Sequence, residues 1–127
     1  MIVVDASVLI AHFDHRDAHH SRAVEVLLEA AEDPLGASVL TVAEVLVAPA
    51  REGRVDAARA VLGELGLHEI ALGPRAAARL ALLRAETSLR LPDCCVLLAA
   101  QDADAQALVT FDDRLRTQAA RRGIAVR

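Results

Sequence analysis

The chain has 127 residues, 54% of them apolar and 25% charged, with a formal net charge of −4. That suffices for one packed domain, falls short of two, and is too apolar for a disordered chain. The negative balance excludes a wholly basic nucleic-acid coat. All 14 cations are arginine, which excludes lysine chemistry, and two Phe with no Trp or Tyr exclude an aromatic platform as the main way of gripping bases.

Taken in chain order, Ile2–Val4 reads as a short buried strand and Ser7–Asp14 as a helix. Asp17 has the character of an N-cap for a helix reaching about Glu32, with Ala23, Val24, Leu27, Leu28 and Ala31 at helical spacing and Asp33-Pro34 as its stop. Ala37–Leu40 reads as a second strand. Helices follow over Thr41–Arg51 and Val55–Leu65. Leu67–Leu72, bracketed by Gly66 and Gly73, is a third strand. Pro74 opens a helix to about Leu89, and Pro92 one to about Ala103. Ala107–Thr110 is a fourth strand, Asp112 starts a helix that Gly123 ends, and Ile124–Val126 closes the chain as a strand. Short apolar strands alternating with helices predict an α/β three-layer sandwich, a mostly parallel sheet of about five strands covered on both faces.

The two cysteines, Cys94 and Cys95, are adjacent. Neighbouring thiols suit neither a disulfide framework nor a spaced zinc site, so they read as small buried side chains in a reducing compartment. The first apolar run is broken by Asp5 and lacks a basic start, and no stretch approaches the ~20 residues of a membrane span. A cytoplasmic protein is expected.

Four carboxylates stand out by position. Asp5 ends the first strand and Asp112 lies two residues past the fourth. Asp93 occupies the first turn of a helix in line with its apolar positions Val96, Leu97 and Ala100, and Glu44 lies one turn into the helix after the second strand, facing away from Val42, Val45 and Leu46. In open α/β sheets the carboxyl ends of parallel strands meet at a crevice, where all four could gather. Two such charges ~5 Å apart at an effective dielectric of ~20 repel by roughly 3 kcal/mol, so either an arginine or a divalent cation must compensate. Hard oxygen ligands suit Mg²⁺ or Mn²⁺, and such an ion supports phosphodiester hydrolysis.

Each acid also has a local reading. Asp112 could cap its helix, Asp93 could be a first-turn acid, and Thr41-Val42-Ala43-Glu44 matches a capping box. Asp5 resists such a reading, because a strand-end acid has no evident capping role, although Ser7 could cap the helix that follows. The histidines His12, His15, His19 and His20 lack a ligand register and read as a solvated corner between helices more readily than as a zinc site.

Val3-Val4-Asp5-Ala6-Ser7-Val8-Leu9 resembles the opening Asp-x-Ser/Thr motif of PIN-domain ribonucleases. Thr41-Val42-Ala43-Glu44-Val45 is similar to their second acidic motif, Leu91-Pro92-Asp93 through Ala100 to their third, and Leu108-Val109-Thr110-Phe111-Asp112 to their fourth. The four occur in family order across nearly the whole chain, and the size and style resemble VapC, the toxin half of VapBC toxin–antitoxin pairs. The resemblance implies a PIN fold and Mg²⁺- or Mn²⁺-dependent endoribonuclease activity. It implies a catalytic set of Asp5, Glu44, Asp93 and Asp112, with Asp5, Asp93 and Asp112 as metal ligands and Ser7 and Thr110 supporting them. It further implies an RNA substrate, a homodimer, and a small VapB-type antitoxin that docks across surface helices and fills the acidic site. Cys94 departs mildly from the small residue usual after the third acid, and Asp113 sits beside Asp112, although the Thr-x-Asp spacing favours Asp112.

Other functions fit less well. A haloacid-dehalogenase-type phosphatase needs a second Asp where Ser7 stands, and it shares with receiver domains a lysine that this chain lacks. A PIN nuclease acting on DNA or in RNA processing without an antitoxin, and a degenerate PIN-like binding module, remain as alternatives.

Overall fold

A computed structural model describes residues 1–127. The first strand, β1 (Ile2–Val4), leads through α1 (Ala6–Phe13) and α2 (His20–Glu29) to β2 (Leu35–Ser38). Then come α3 (Val39–Arg51), α4 (Val55–Glu64) and β3 (Leu67–Ile70), followed by α5 (Ala76–Thr87), α6 (Leu91–Asp102), β4 (Ala107–Val109) and α7 (Asp113–Arg121).

The four strands form one all-parallel sheet in the order β3-β2-β1-β4. Alternation along the strands divides the core. Ile2, Val4, Ala107 and Val109 face a layer containing Val8, Leu9, Ala23, Val26 and Leu62. Val3 and Leu108 face the opposite layer of Leu83, Leu97, Leu98 and Leu115. Because both faces are covered, β1 and β4 are apolar at every position and wholly buried, the pattern expected of a parallel sheet. Gly36 in β2 leaves room for the Met1 and Ile70 side chains to pack over the strand. A Cβ there would stand 2.5 Å from the Met1 sulfur and 2.9 Å from Ile70 Cδ1.

The three-layer α/β architecture is therefore as the alternation of elements predicts, with four strands where about five were expected. Ile124–Val126 reduces to a single bridge between Val126 and Leu108, held by Leu108 N–H to Ala125 O and Arg127 N–H to Leu108 O. The second strand begins and ends two residues before its predicted span. Ser38 terminates it by capping α3, its hydroxyl accepting the Leu40 N–H at 3.2 Å, so Val39 and Leu40 are already helical. Asp17 does not cap α2. It accepts the His19 N–H at 2.8 Å in a turn, and the helix starts three residues later. At α5 the helix begins after Pro74 and a left-handed Arg75, at Ala76.

Candidate active site

The polar crevice lies at the carboxyl ends of β1 and β4. The helix after β1 packs on one face of the sheet and the helix after β4 on the other, which makes this edge the topological switch point where parallel sheets open a cleft. A cavity of about 220 Å³ sits there, and Asp5, Glu44, Asp93 and Asp112 all line it, together with Ser7 and Arg90. Side chains as far apart in sequence as residues 5 and 112 thus share one pocket.

Asp5 is its floor and is 5% exposed. Both carboxylate oxygens are engaged: Oδ1 accepts the Ser7 hydroxyl at 2.5 Å and the Val8 N–H at 3.3 Å, and Oδ2 accepts the Thr110 hydroxyl at 2.6 Å. Burial raises the Asp5 pKa above the ordinary carboxylate value, and the Ser7 and Thr110 hydrogen bonds oppose that rise. Thr110 Oγ1 also accepts the Asp112 N–H at 3.0 Å, and Ser7 Oγ accepts the Phe111 N–H at 3.2 Å. One network therefore ties the end of β1 to the end of β4.

Asp5 proves to be the N-cap of α1, contrary to the expectation that a strand-end acid has no capping role. The β1–α1 connection is so short that the first residue past the strand is also the first before the helix. Asp112 caps α7 in the same way, accepting the Leu115 N–H at 2.9 Å. The capping box at Thr41–Glu44 does not form. Ser38 is the N-cap of α3, the Thr41 hydroxyl is buried without a partner, and Glu44 falls in the second turn, clear of the helix terminus.

Glu44 and Asp93 differ from the strand-end acids. Neither makes a hydrogen bond or an ion pair, although Glu44 is exposed at the rim and Asp93 is half-buried in the first turn of α6. Burial raises the Asp93 pKa, and the charges of Asp112 and Asp5 add to it against Arg90 and Arg114. Burial likewise raises Glu44, with Asp93 and Asp5 adding and Arg90 opposing. The N-termini of α1, α6 and α7 also point into the crevice, and their partial positive charge offsets part of the repulsion.

The donor set is entirely carboxylate and hydroxyl oxygen, which fits a hard divalent cation. No three His, Cys, Asp or Glu side chains stand close enough together to hold a metal ion among them. Mg²⁺ does not need three protein ligands, because it keeps several of its waters and takes one or two carboxylates directly. A pocket of this size accommodates a hydrated ion with other carboxylates reached through water.

A family model described as PIN domain matches residues 2–120. The chain belongs to the PIN domain family. Among solved structures, this PIN domain is similar to a toxin–antitoxin complex from Klebsiella pneumoniae at 27% identity and TM-score 0.75, covering 91% of this chain and 90% of that one. It shares the fold of VapC20 from Mycobacterium tuberculosis, described as a Sarcin-Ricin loop cleaving toxin, at 18% identity and TM-score 0.74 over 93% and 95% of the two chains. It also shares the fold of FitAcB from Neisseria gonorrhoeae, at 19% identity and TM-score 0.74 over 99% and 96%. No curated protein matches the chain significantly in sequence. The family is one of nucleases, and these neighbours associate the fold with toxin–antitoxin systems.

Two features of this PIN domain escaped the sequence reading. Arg90 enters the pocket from the N-cap of α6, with only its charge to mark it in the sequence. An apolar groove of about 420 Å³ opens between α1, α3 and α4, lined by residues that include Phe13, Val45, Pro49 and Val61. Ile10 lines both this groove and the acidic pocket, so the two lie side by side. Exposed Ile10, Phe13 and Val61 are scattered along the chain, and only the meeting of the helices gathers them. Of the histidines, His20 Nδ1 lies 2.8 Å from Ala11 O and the His19 ring rests on Phe111 at 4.9 Å, so both serve local packing. Cys94 and Cys95 are buried thiols with pKa values raised by burial. No helix is long and apolar enough to cross a membrane.

Proposed function

We propose that this PIN domain is a metal-dependent endoribonuclease, the toxin of a type II toxin–antitoxin pair. The observation that carries the reading is the convergence of Asp5, Glu44, Asp93 and Asp112 on one pocket in which no carboxylate is neutralised by an ion pair. In this reading all four acids form the catalytic set, and Asp5, Asp93 and Asp112 hold Mg²⁺ or Mn²⁺. When bound, such an ion stabilises charge on the scissile phosphate and makes water a competent nucleophile near neutral pH. The chain's own side chains do the rest. Ser7 and Thr110 keep Asp5 in one orientation, so little reorganisation is needed as the phosphate arrives. Arg90 and the helix N-termini at the crevice favour the phosphodiester over further anionic side chains. Because water is the nucleophile, the ribose 2′-hydroxyl takes no part.

The partner in this reading is a VapB-type antitoxin. The apolar groove beside the acidic pocket supports it, since an amphipathic segment seated in the groove and crossing Ile10 would bring its end to the acids. A homodimer and a cytoplasmic location follow from the family resemblance and from two reduced thiols. The test is incubation of purified, antitoxin-free protein with total RNA and with single-stranded DNA, with Mg²⁺ or with chelator, beside Asp5→Asn. Internal cleavage of RNA only with Mg²⁺, lost in Asp5→Asn, is expected. Cleavage in chelator, or products ending in a cyclic phosphate, would overturn the mechanism.

A further inference from the structure

The arginines of this chain fall into two populations. Arg16, Arg22, Arg54, Arg59, Arg79 and Arg122 each hold a carboxylate. The others hold none. Among these, Arg84 and Arg116 are spent on backbone carbonyls, whereas Arg90, Arg114 and Arg121 gather around the loop between α5 and α6 and the exposed side of α7. In a protein of net charge −4, where acids outnumber cations, a local group of arginines without one marks a surface suited to an external anion.

The geometry is that of a track. Arg114, Thr117, Gln118 and Arg121 are spaced i, i+3, i+4 and i+7, one face of α7. They line a cleft of about 360 Å³ that is open to solvent and has Leu89 as its one apolar wall residue. Its near end is the first turn of α7, directly after Asp112, and its far end lies about 10 Å along the helix axis, at 1.5 Å per residue. Leu89 lines the cleft and its chain neighbour Arg90 lines the acidic pocket, so the Ser88–Arg90 loop borders both, and that loop is held firmly. Arg84 donates to the carbonyls of Ser88 at 3.1 Å and Leu89 at 2.6 Å, and Arg114 reaches the Ser88 carbonyl at 3.4 Å. Arg90 on that loop then stands at the mouth of the acidic pocket. Asp113 is the one acid on the cleft wall, at the end nearest the pocket.

We propose that this cleft, with Arg114 at its near end and Arg121 at its far end, and with Arg90 beyond it on the acidic pocket, binds the backbone phosphates of the nucleic-acid strand on one side of the bond to be cut. The inference rests on the nuclease reading and adds the path of the substrate. Arginine forks suit phosphate oxygens, and such pairings position a strand without reading its sequence. The chain's scarcity of aromatics then matters little, because grip comes from the backbone.

The experiment uses a fluorescent single-stranded RNA of about a dozen nucleotides, bound to Asp93→Asn protein in chelator over a series of NaCl concentrations. Removing one arginine–phosphate pairing should flatten the slope of log K against log salt by about 0.7. Arg121→Gln should flatten it once, and Arg114→Gln with Arg121→Gln about twice. Arg51→Gln, which removes an equally unpaired charge from α3, should leave it unchanged. In the cleaving parent, the double variant should raise KM for the same RNA about tenfold with little change in kcat, whereas Arg121→Gln alone should cut a dinucleotide too short to reach residue 121 as well as the parent does. If the cleft variants track Arg51→Gln in both slope and KM while the parent cleaves RNA, the track is wrong and the nuclease reading survives. If the slopes flatten but no variant or parent cleaves RNA, the cleft binds the strand and the assignment of the acidic site is what fails.

Discussion

The two sides of the acidic pocket are built on opposite principles. On the strand side, Asp5 and Asp112 both cap helices, and Thr110, 105 residues from Asp5 in sequence, binds the Asp5 carboxylate and the Asp112 N–H together. On the helix side, Glu44 and Asp93 make no hydrogen bond, and their nearest influences include like charges. The first side is fixed before anything binds. The second is held under electrostatic stress that a cation would relieve.

Asp93→Asn breaks the comparison most severely. Cleavage of RNA should fall at least a hundredfold, about 2.7 kcal/mol of barrier, while the thermal midpoint in chelator stays level or rises. Equal losses of activity and stability would mean that Asp93 serves the fold.

Thr110→Val attacks the strand side and should do the reverse. Thr110 is wholly buried and serves both Asp5 and the Asp112 N–H, so unfolding free energy in denaturant should drop by about 2 kcal/mol. Ser7→Ala should cost about half as much, since Asp5 Oδ1 keeps the Val8 N–H.

The smallest expected effect is the dependence on pH. Asp5, Asp93 and Glu44 are all raised in the native state, the Asp residues from 3.8 and Glu44 from 4.5. The folded protein therefore retains protons that the unfolded chain releases. Their stabilising contribution is complete below those ordinary values and is lost as pH rises through the raised native ones. Melting in chelator from pH 4 to 7 should show this loss, reduced in Asp93→Asn. With Mg²⁺ the parent should instead gain stability as pH rises, because the ion binds the deprotonated acids. A midpoint indifferent to Mg²⁺ throughout would leave the helix side without its cation.

Much of the fold was legible along the chain. Apolar triplets with a polar residue directly after them marked β1 and β4 within a residue, and both strand-end acids stood where the sheet edge required them. Boundaries blurred where the apolar run was continuous, as at Ala37–Leu40, because a buried strand and the first turn of a buried helix have the same composition. The capping box read at Thr41–Glu44 failed for a related reason, whereas Asp112 caps its helix as its position suggests. Ser38 and Thr41 are both good caps by type, and only the backbone shows which one stands at the helix start.

Residue types and their order along this chain determined an all-parallel layered sheet, with an acid just past each of two buried strands. What only the tertiary structure decided is which polar groups complete one another. Ser7 and Thr110 reach one carboxylate, Asp93 faces Asp112 and Asp5 without an ion pair, and the arginines divide into those with acids and those without. Distances between side chains remote in sequence set these relations, and in a folded interior a few ångströms separate a neutralised charge from one that can still bind an ion.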